Sequence, residues 1–228
     1  MHFLRRPEPN EPEETYALSI SDLMSSLLTI FILCLTYYML SYSKARAELV
    51  DNQGRRAEIL LALQAELQSK GIIVEVDYSQ GVLHLPEGIL FPKGDASLKE
   101  SGRAVIRVLA PALRKVLEDQ GYSSRIDTIF IEGHTDSDPV LGGKYESNWE
   151  LSTQRAINSW REMVKVEPVL EHKFNSLGQP LFSVSGYADR RPVEPGESEE
   201  AKSKNRRIDL RFTMMTPRVD EDSASRVR

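Results

Sequence analysis

Asp22 is a carboxylate placed where a carboxylate is costly. It directly precedes a run, Leu23–Ser43, that holds no charged side chain and consists mostly of large apolar residues. An ionisable group at membrane depth is usually retained because something uses it. Ser19, Asp22, Ser26 and Thr29 follow a 3-4-3 spacing, which on a helix aligns their side chains in one polar stripe. Such a stripe is misplaced against lipid. It belongs against a partner helix or a narrow wet path, where a carboxyl can bind and release a proton. The alternative is an interfacial Asp22 that touches water and favours the positive end of the helix dipole.

The other reactive residues form no comparable constellation. His2, His84, His134 and His172 are scattered without metal-ligand spacing, so no metal is expected. His134 and Asp136 stand close in sequence, but no strand-to-helix nucleophile elbow or second orienting acid accompanies them, which argues against a hydrolase. No enzyme and no cofactor are expected. Cys34, the single cysteine, lies inside the apolar run and reads as a small buried hydrophobe. A net charge of -5 without a dense basic patch excludes nucleic acid as a partner.

These residues need elements to position them. The uncharged run of 21 residues, rising about 1.5 Å per residue, covers roughly 31 Å and matches a bilayer's hydrocarbon core. Tyr37, Tyr38 and Tyr42 lie toward its far end, where aromatic rings prefer the interface. A cleavable signal peptide would have a basic flank, a shorter core and small residues at a cleavage site. Here Arg5 and Arg6 are offset by Glu8, Glu11, Glu13 and Glu14, and Lys44 and Arg46 stand on the other side, so charge alone does not orient the span. The spacing predicts a disordered tail over 1–16, a transmembrane helix over 17–43 and an amphipathic connector helix over 44–71. The connector carries Leu49, Ile59, Leu60, Leu63 and Leu67 on one face, is interrupted near Gly54, and pairs with a copy of itself or lies on the membrane.

From residue 72 to 215 the pattern is that of an α+β domain. Strands are expected at Ile72–Tyr78, Val82–Leu85, Arg125–Glu132, Leu181–Tyr187 and Ile208–Met214. Ser97 and Glu100 form a candidate capping box for a helix reaching Asp119, and Asn148–Val166 is a second helix. The order is β/α/β/α/β with both helices on one face of a sheet. Pro192–Lys204 reads as an acidic loop and 216–228 as a loose tail.

Two resemblances follow from these segments. Ser21-Asp22-Leu23-Met24-Ser25-Ser26-Leu27-Leu28, continued by Ile30-Phe31-Ile32-Leu33, resembles the single helix of MotB-type stator subunits. That resemblance implies that Asp22 is the ion-translocating group, with H⁺ favoured over Na⁺, on one of a pair of helices inside a ring of multi-span A-type subunits. Gly133-His134-Thr135-Asp136, Asn148-Trp149-Glu150-Leu151-Ser152 with Arg155-Ala156, and Asn205-Arg206-Arg207-Ile208-Asp209-Leu210 resemble, in order, the signature of OmpA-like peptidoglycan-binding domains over about residues 80–214. The implied ligand is the peptidoglycan stem, whose diaminopimelate carries a free amine and a carboxylate. Arg155 would take the carboxylate in a two-pronged bond and Asp136 the ammonium. Asn148 would cap its helix or donate to the ligand, Leu151 would wall the pocket, and Arg206 could also reach the ligand. Taken singly, each residue has a plainer role: loop cap, surface ion pair or strand-edge charge.

The loop from Asp136 to Asn148 and the segment Ser147–Ser152 resemble motor B subunits more than passive porin-type anchors. Only about 28 residues separate the span from the domain, and the basic N-terminal stretch of flagellar subunits is absent. That layout resembles the ZorB subunits of Zorya anti-phage defence systems. The resemblance implies an inner-membrane protein, N-terminus cytoplasmic and domain periplasmic, forming a homodimer within a ZorA/MotA-like ring. A flagellar role, a passive wall anchor and a TonB-system energiser are the alternatives; the passive anchor has no use for the carboxylate, and the energiser shares the Asp-bearing helix but is opposed by the Gly-His-Thr-Asp and Asn-Arg-Arg motifs.

Overall fold

The computed structural model describes residues 11–118, 122, 124–140 and 144–216, with the side chains of 11–15, 17 and 18 left aside. Of the tails expected over 1–16 and 216–228, residues 1–10 and 217–228 lie outside the described residues. The chain divides into two units, one reaching Leu49 and the other spanning Val50–Thr216.

One helix, α1 (Glu11–Ser69), contributes to both. It begins within the segment expected to be a tail and has no break at Gly54, which corrects two expectations. A helical glycine costs only about 1 kcal/mol, and its neighbours are fastened: Asn52 donates to the Met215 carbonyl at 2.9 Å and Arg56 to the Ser79 carbonyl at 2.9 Å.

In the first unit an 18-residue window of α1 has a mean hydropathy of 2.0 and is wholly unburied. Among the described residues, α1 is the one helix long and apolar enough to cross a membrane. Its large side chains stand out on all sides; Leu23 is 71% exposed and Phe31 62%. Cys34 is exposed with them rather than buried within the chain.

The second unit opens on the end of α1. Ile59, Leu60, Leu63 and Leu67 are fully buried in its core. The apolar face assigned to a copy of the chain or to a membrane surface is therefore spent inside the domain, because a 3-4 spaced stripe seeks any apolar partner and the sheet domain supplies one. Tyr78 donates to Gln64 at 2.7 Å, and Arg125 pairs with Asp51.

A five-stranded mixed sheet follows in the order β1-β2-β5-β3-β4. Its strands are β1 (Glu75–Asp77), β2 (Val82–Pro86), β3 (Ile126–His134), β4 (Phe182–Gly186) and β5 (Arg207–Met214). Only β3 and β4 are parallel. Period-two alternation sends Ile129, Ile131, Leu210 and Phe212 into the core. The helices α3 (Glu100–Glu118) and α4 (Asn148–Val166) contribute Ile106, Leu109, Leu113, Ala156 and Met163 to the same core. The expected α+β architecture, a long apolar helix followed by a β/α/β/α/β domain, is the one observed.

Four local departures matter. The expected capping box is absent: the Ser97 hydroxyl donates to Asp95 at 2.7 Å, and α3 starts at Glu100. A short helix, α2 (Glu87–Leu90), follows β2, and α5 (Glu199–Asn205) lies within the segment read as a loop. A 3-10 turn, Pro168–His172, also follows α4.

Candidate functional site

The three motifs meet at the carboxyl end of β3. Gly133 lets α4 approach, since a Cβ there would collide with the Ser152 carbonyl. The chain then turns through Thr135, whose amide donates to the Ala188 carbonyl at 2.9 Å, and delivers Asp136. Ser147, not Asn148, caps α4 by accepting from the Glu150 amide. The Asn148 side chain instead donates to the Asp138 carbonyl at 2.9 Å and the Asp136 carbonyl at 3.4 Å, clamping the loop that carries the acid. Leu151 is buried at 4% exposure.

Four charges lie together here. Arg206 donates from Nη1 to Asp136 Oδ2 at 2.6 Å. Arg155 Nη2 pairs with Glu87 Oε1 at 2.6 Å, while its Nε donates to the Asp95 carbonyl at 2.9 Å. Glu87 sits between the two guanidiniums, with Oε2 3.9 Å from Arg206 Nε. The Glu87 amide donates to the Arg206 carbonyl at 2.9 Å, so α2 and the start of β5 fix one another. Arg155 and Glu87 are almost sealed, with side chains 2% and 5% exposed, whereas Arg206 keeps 22%. The sequence-predicted residues Asp136, Asn148 and Arg206 thus converge. Arg155 joins them from beneath, its prongs already engaged by the protein.

Burial sets the electrostatics. It pushes the Glu87 carboxyl above its ordinary range, against the pull of Arg155 and Arg206. Burial also lowers the Arg155 guanidinium, with Glu87 opposing it. For Arg206 burial acts downward, but the hydrogen bond and charge of Asp136 outweigh it and the net direction is up. Among the described residues, Glu87 Oε2, Thr135 Oγ1 and the Tyr145 hydroxyl are buried without a hydrogen-bond partner. Such oxygens are costly unless a ligand completes them. Glu87 was missed in the sequence; the available signal was a lone acid inside the apolar run Val82–Phe91.

On the sheet face away from α3 and α4, a second network forms. Asp209, fully buried, contacts His84 Nδ1 at 2.6 Å and receives Arg207 Nε at 3.0 Å on each oxygen. Arg211 grips Glu132 at 3.0 Å and 3.1 Å. His134 Nε2 lies 3.2 Å from Asp209 Oδ2 but without hydrogen-bond alignment. Histidines that looked scattered along the chain, His84 and His134, therefore share one carboxylate. Glu132, His134 and Asp209 are close enough to hold a cation. Arg207 and Arg211 already neutralise both carboxylates, so the donor set does not suit a metal.

In the first unit Asp22 is exposed, as are Ser19, Ser26 and Thr29. The Thr29 hydroxyl donates to the Ser25 carbonyl at 2.8 Å and the Ser25 hydroxyl to the Ser21 carbonyl at 2.7 Å. Hydroxyls bonded back to the preceding turn can lie in an apolar helix at little cost.

Comparison with known proteins places this geometry. The chain is 33% identical over 124 residues to Motility protein B of Bacillus subtilis, covering 54% of this chain and 44% of that protein. The chain thus spans less than half the length of this relative. It is 24% identical over 216 residues to the Zorya protein ZorB of Escherichia coli, covering 89% of this chain and 88% of that one. The fold matches that of a MotB-like protein from Desulfovibrio vulgaris with a TM-score of 0.56 at 19% identity, over 72% of this chain and 98% of the other. Residues 90–206, just over half of the 228, match the OmpA family and contain Asp136, Arg155 and Arg206. The chain belongs to the OmpA family.

Proposed function

We propose that this protein is the wall-anchored B subunit of a proton-driven, stator-like membrane motor and that it acts in Zorya-type anti-phage defence. One observation carries the reading: similarity to ZorB runs through span and domain together, over 89% of this chain and 88% of that protein. In this reading 17–43 crosses the inner membrane with the N-terminus cytoplasmic and the OmpA-family domain periplasmic. Two copies pair within a ring of A-type, ZorA/MotA-like multi-span subunits. Asp22 binds and releases H⁺ as it meets that ring, and Ser19, Ser26 and Thr29 keep its path polar. The domain holds peptidoglycan at the charged cluster, where Asp136 and Arg206 face the stem, Asn148 and Leu151 shape the loop and wall, and Arg155 supports from below. The protein is not an enzyme; it converts ion flow into force against a fixed wall.

A flagellar role is the second reading, favoured by the higher identity, 33%, to Motility protein B. Phage plaquing and swimming in cells carrying the gene with its genomic neighbours separate the two. Wild type is expected to block phage without altering swimming, and both Asp22→Asn and Asp136→Ala/Arg206→Ala to lose the block at unchanged membrane levels. If Asp22→Asn still protects, the ion-driven mechanism is wrong and the chain is a passive wall anchor.

A further inference from the structure

Glu87 is the part of the charged cluster that no motif accounts for. Its two oxygens are used unequally. Oε1 is held by Arg155 at 2.6 Å, while Oε2 is buried, lacks a hydrogen-bond partner among the described residues and lies 3.9 Å from Arg206 Nε. An anionic acceptor kept from water and from a donor is strongly unfavourable, and most buried polar oxygens are satisfied. A neighbouring acid, Asp136, uses Oδ2 for Arg206 at 2.6 Å and Oδ1 for the Asp138 amide at 3.2 Å. Two carboxylates therefore flank a partly exposed guanidinium, and one acceptor still awaits a donor.

Ligand chemistry follows from what each group lacks. A carboxylate could pair with Arg206 alone, and Glu87 Oε2 would gain nothing from it. A free ammonium offers three donors and no acceptor, which suits a position between Glu87 and Asp136. A ligand with both groups on one carbon, an α-amino-acid end, satisfies every member of the cluster at once. We infer that Glu87 is a specificity-determining residue that receives the free ammonium of the ligand through Oε2, with Arg206 taking the adjoining carboxylate and Arg155 acting as a positioning residue that holds Glu87 in place. This rests on the wall-binding reading, and it predicts a preference for stems whose diaminopimelate amine is neither cross-linked nor acylated.

The test uses the full chain in detergent and two ligands: a disaccharide-tripeptide muropeptide ending in diaminopimelate, and the same molecule with its free amine N-acetylated. Glu87→Gln keeps an oxygen for Arg155 but presents an amide donor to the incoming ammonium. It should weaken binding of the free-amine ligand at least about 10-fold and change binding of the acetylated ligand less than about twofold. An affinity for the free-amine ligand within twofold of wild type overturns the inference, and so does an equal loss for both ligands, which marks a structural role. If Glu87→Gln does not fold, Glu87→Asp, which withdraws the charge by one methylene, is read on the same ligand pair with the same outcomes. Wild type binding neither ligand defeats the wall-binding reading itself, a distinct failure.

Discussion

At the scale of single residues, the site is built from charges that depend on one another. Arg155 and Glu87 are sealed together, and breaking a buried pair by removing one partner strands the other. Arg155→Met should lower stability by about 3–5 kcal/mol, and Glu87→Leu/Arg155→Met should recover most of it; urea unfolding of the three proteins checks this. A second residue-scale prediction concerns pH. Burial holds the His134 imidazole below its ordinary 6.5. Below that pH the unfolded chain binds the proton that the folded chain refuses, so stability falls as pH drops from 6.5 toward the lower folded value. Glu87, raised by burial, has the opposite sign in more acidic solution, and Asp209, held well below 3.8, loses its contribution only in strong acid. His134→Phe should flatten the stability profile just below pH 6.5, as read by thermal melts across the pH series.

At the scale of elements, what the sequence made legible depended on periodicity. The strand Val82–Pro86 and the helix Asn148–Val166 were placed almost to the residue, since alternation and 3.6-residue spacing ran long enough to show. α2 has only four residues and α5 seven, too few for either period to register, and with α2 went Glu87. Asp136, Arg155 and Arg206 were found through motifs, while the sealing of Arg155 against Glu87 is a feature only the fold displays. The apolar stripe of 50–69 was legible as a stripe, but a stripe does not name its partner. Its burial predicts that Leu63→Ala costs about 2–5 kcal/mol, measured by denaturant unfolding. It also predicts that a fragment starting at residue 50 folds cooperatively, whereas one starting at residue 70, stripped of four buried apolar side chains, binds a hydrophobic dye and does not.

At the scale of the whole molecule, the proposed tasks divide between the two units. Asp22 lies in the unit that ends at Leu49, and the charged cluster in the unit that begins at Val50. Asp22→Asn should therefore leave muropeptide affinity within about twofold of wild type while abolishing protection against phage. Equal loss of both functions would show that the carboxylate acts through the fold rather than through ion flow.

The strand that ends the domain ties these tasks to a reading frame. Arg206 opens toward the charged cluster, Arg207 and Asp209 turn to the far face, and Ile208 and Leu210 turn to the core. One inserted or deleted residue between Asn205 and Asp209 would exchange the two faces, driving guanidinium into the core and isoleucine into the Asp209 network. Within this stretch, related proteins should therefore keep the same length and differ in length in the loops instead.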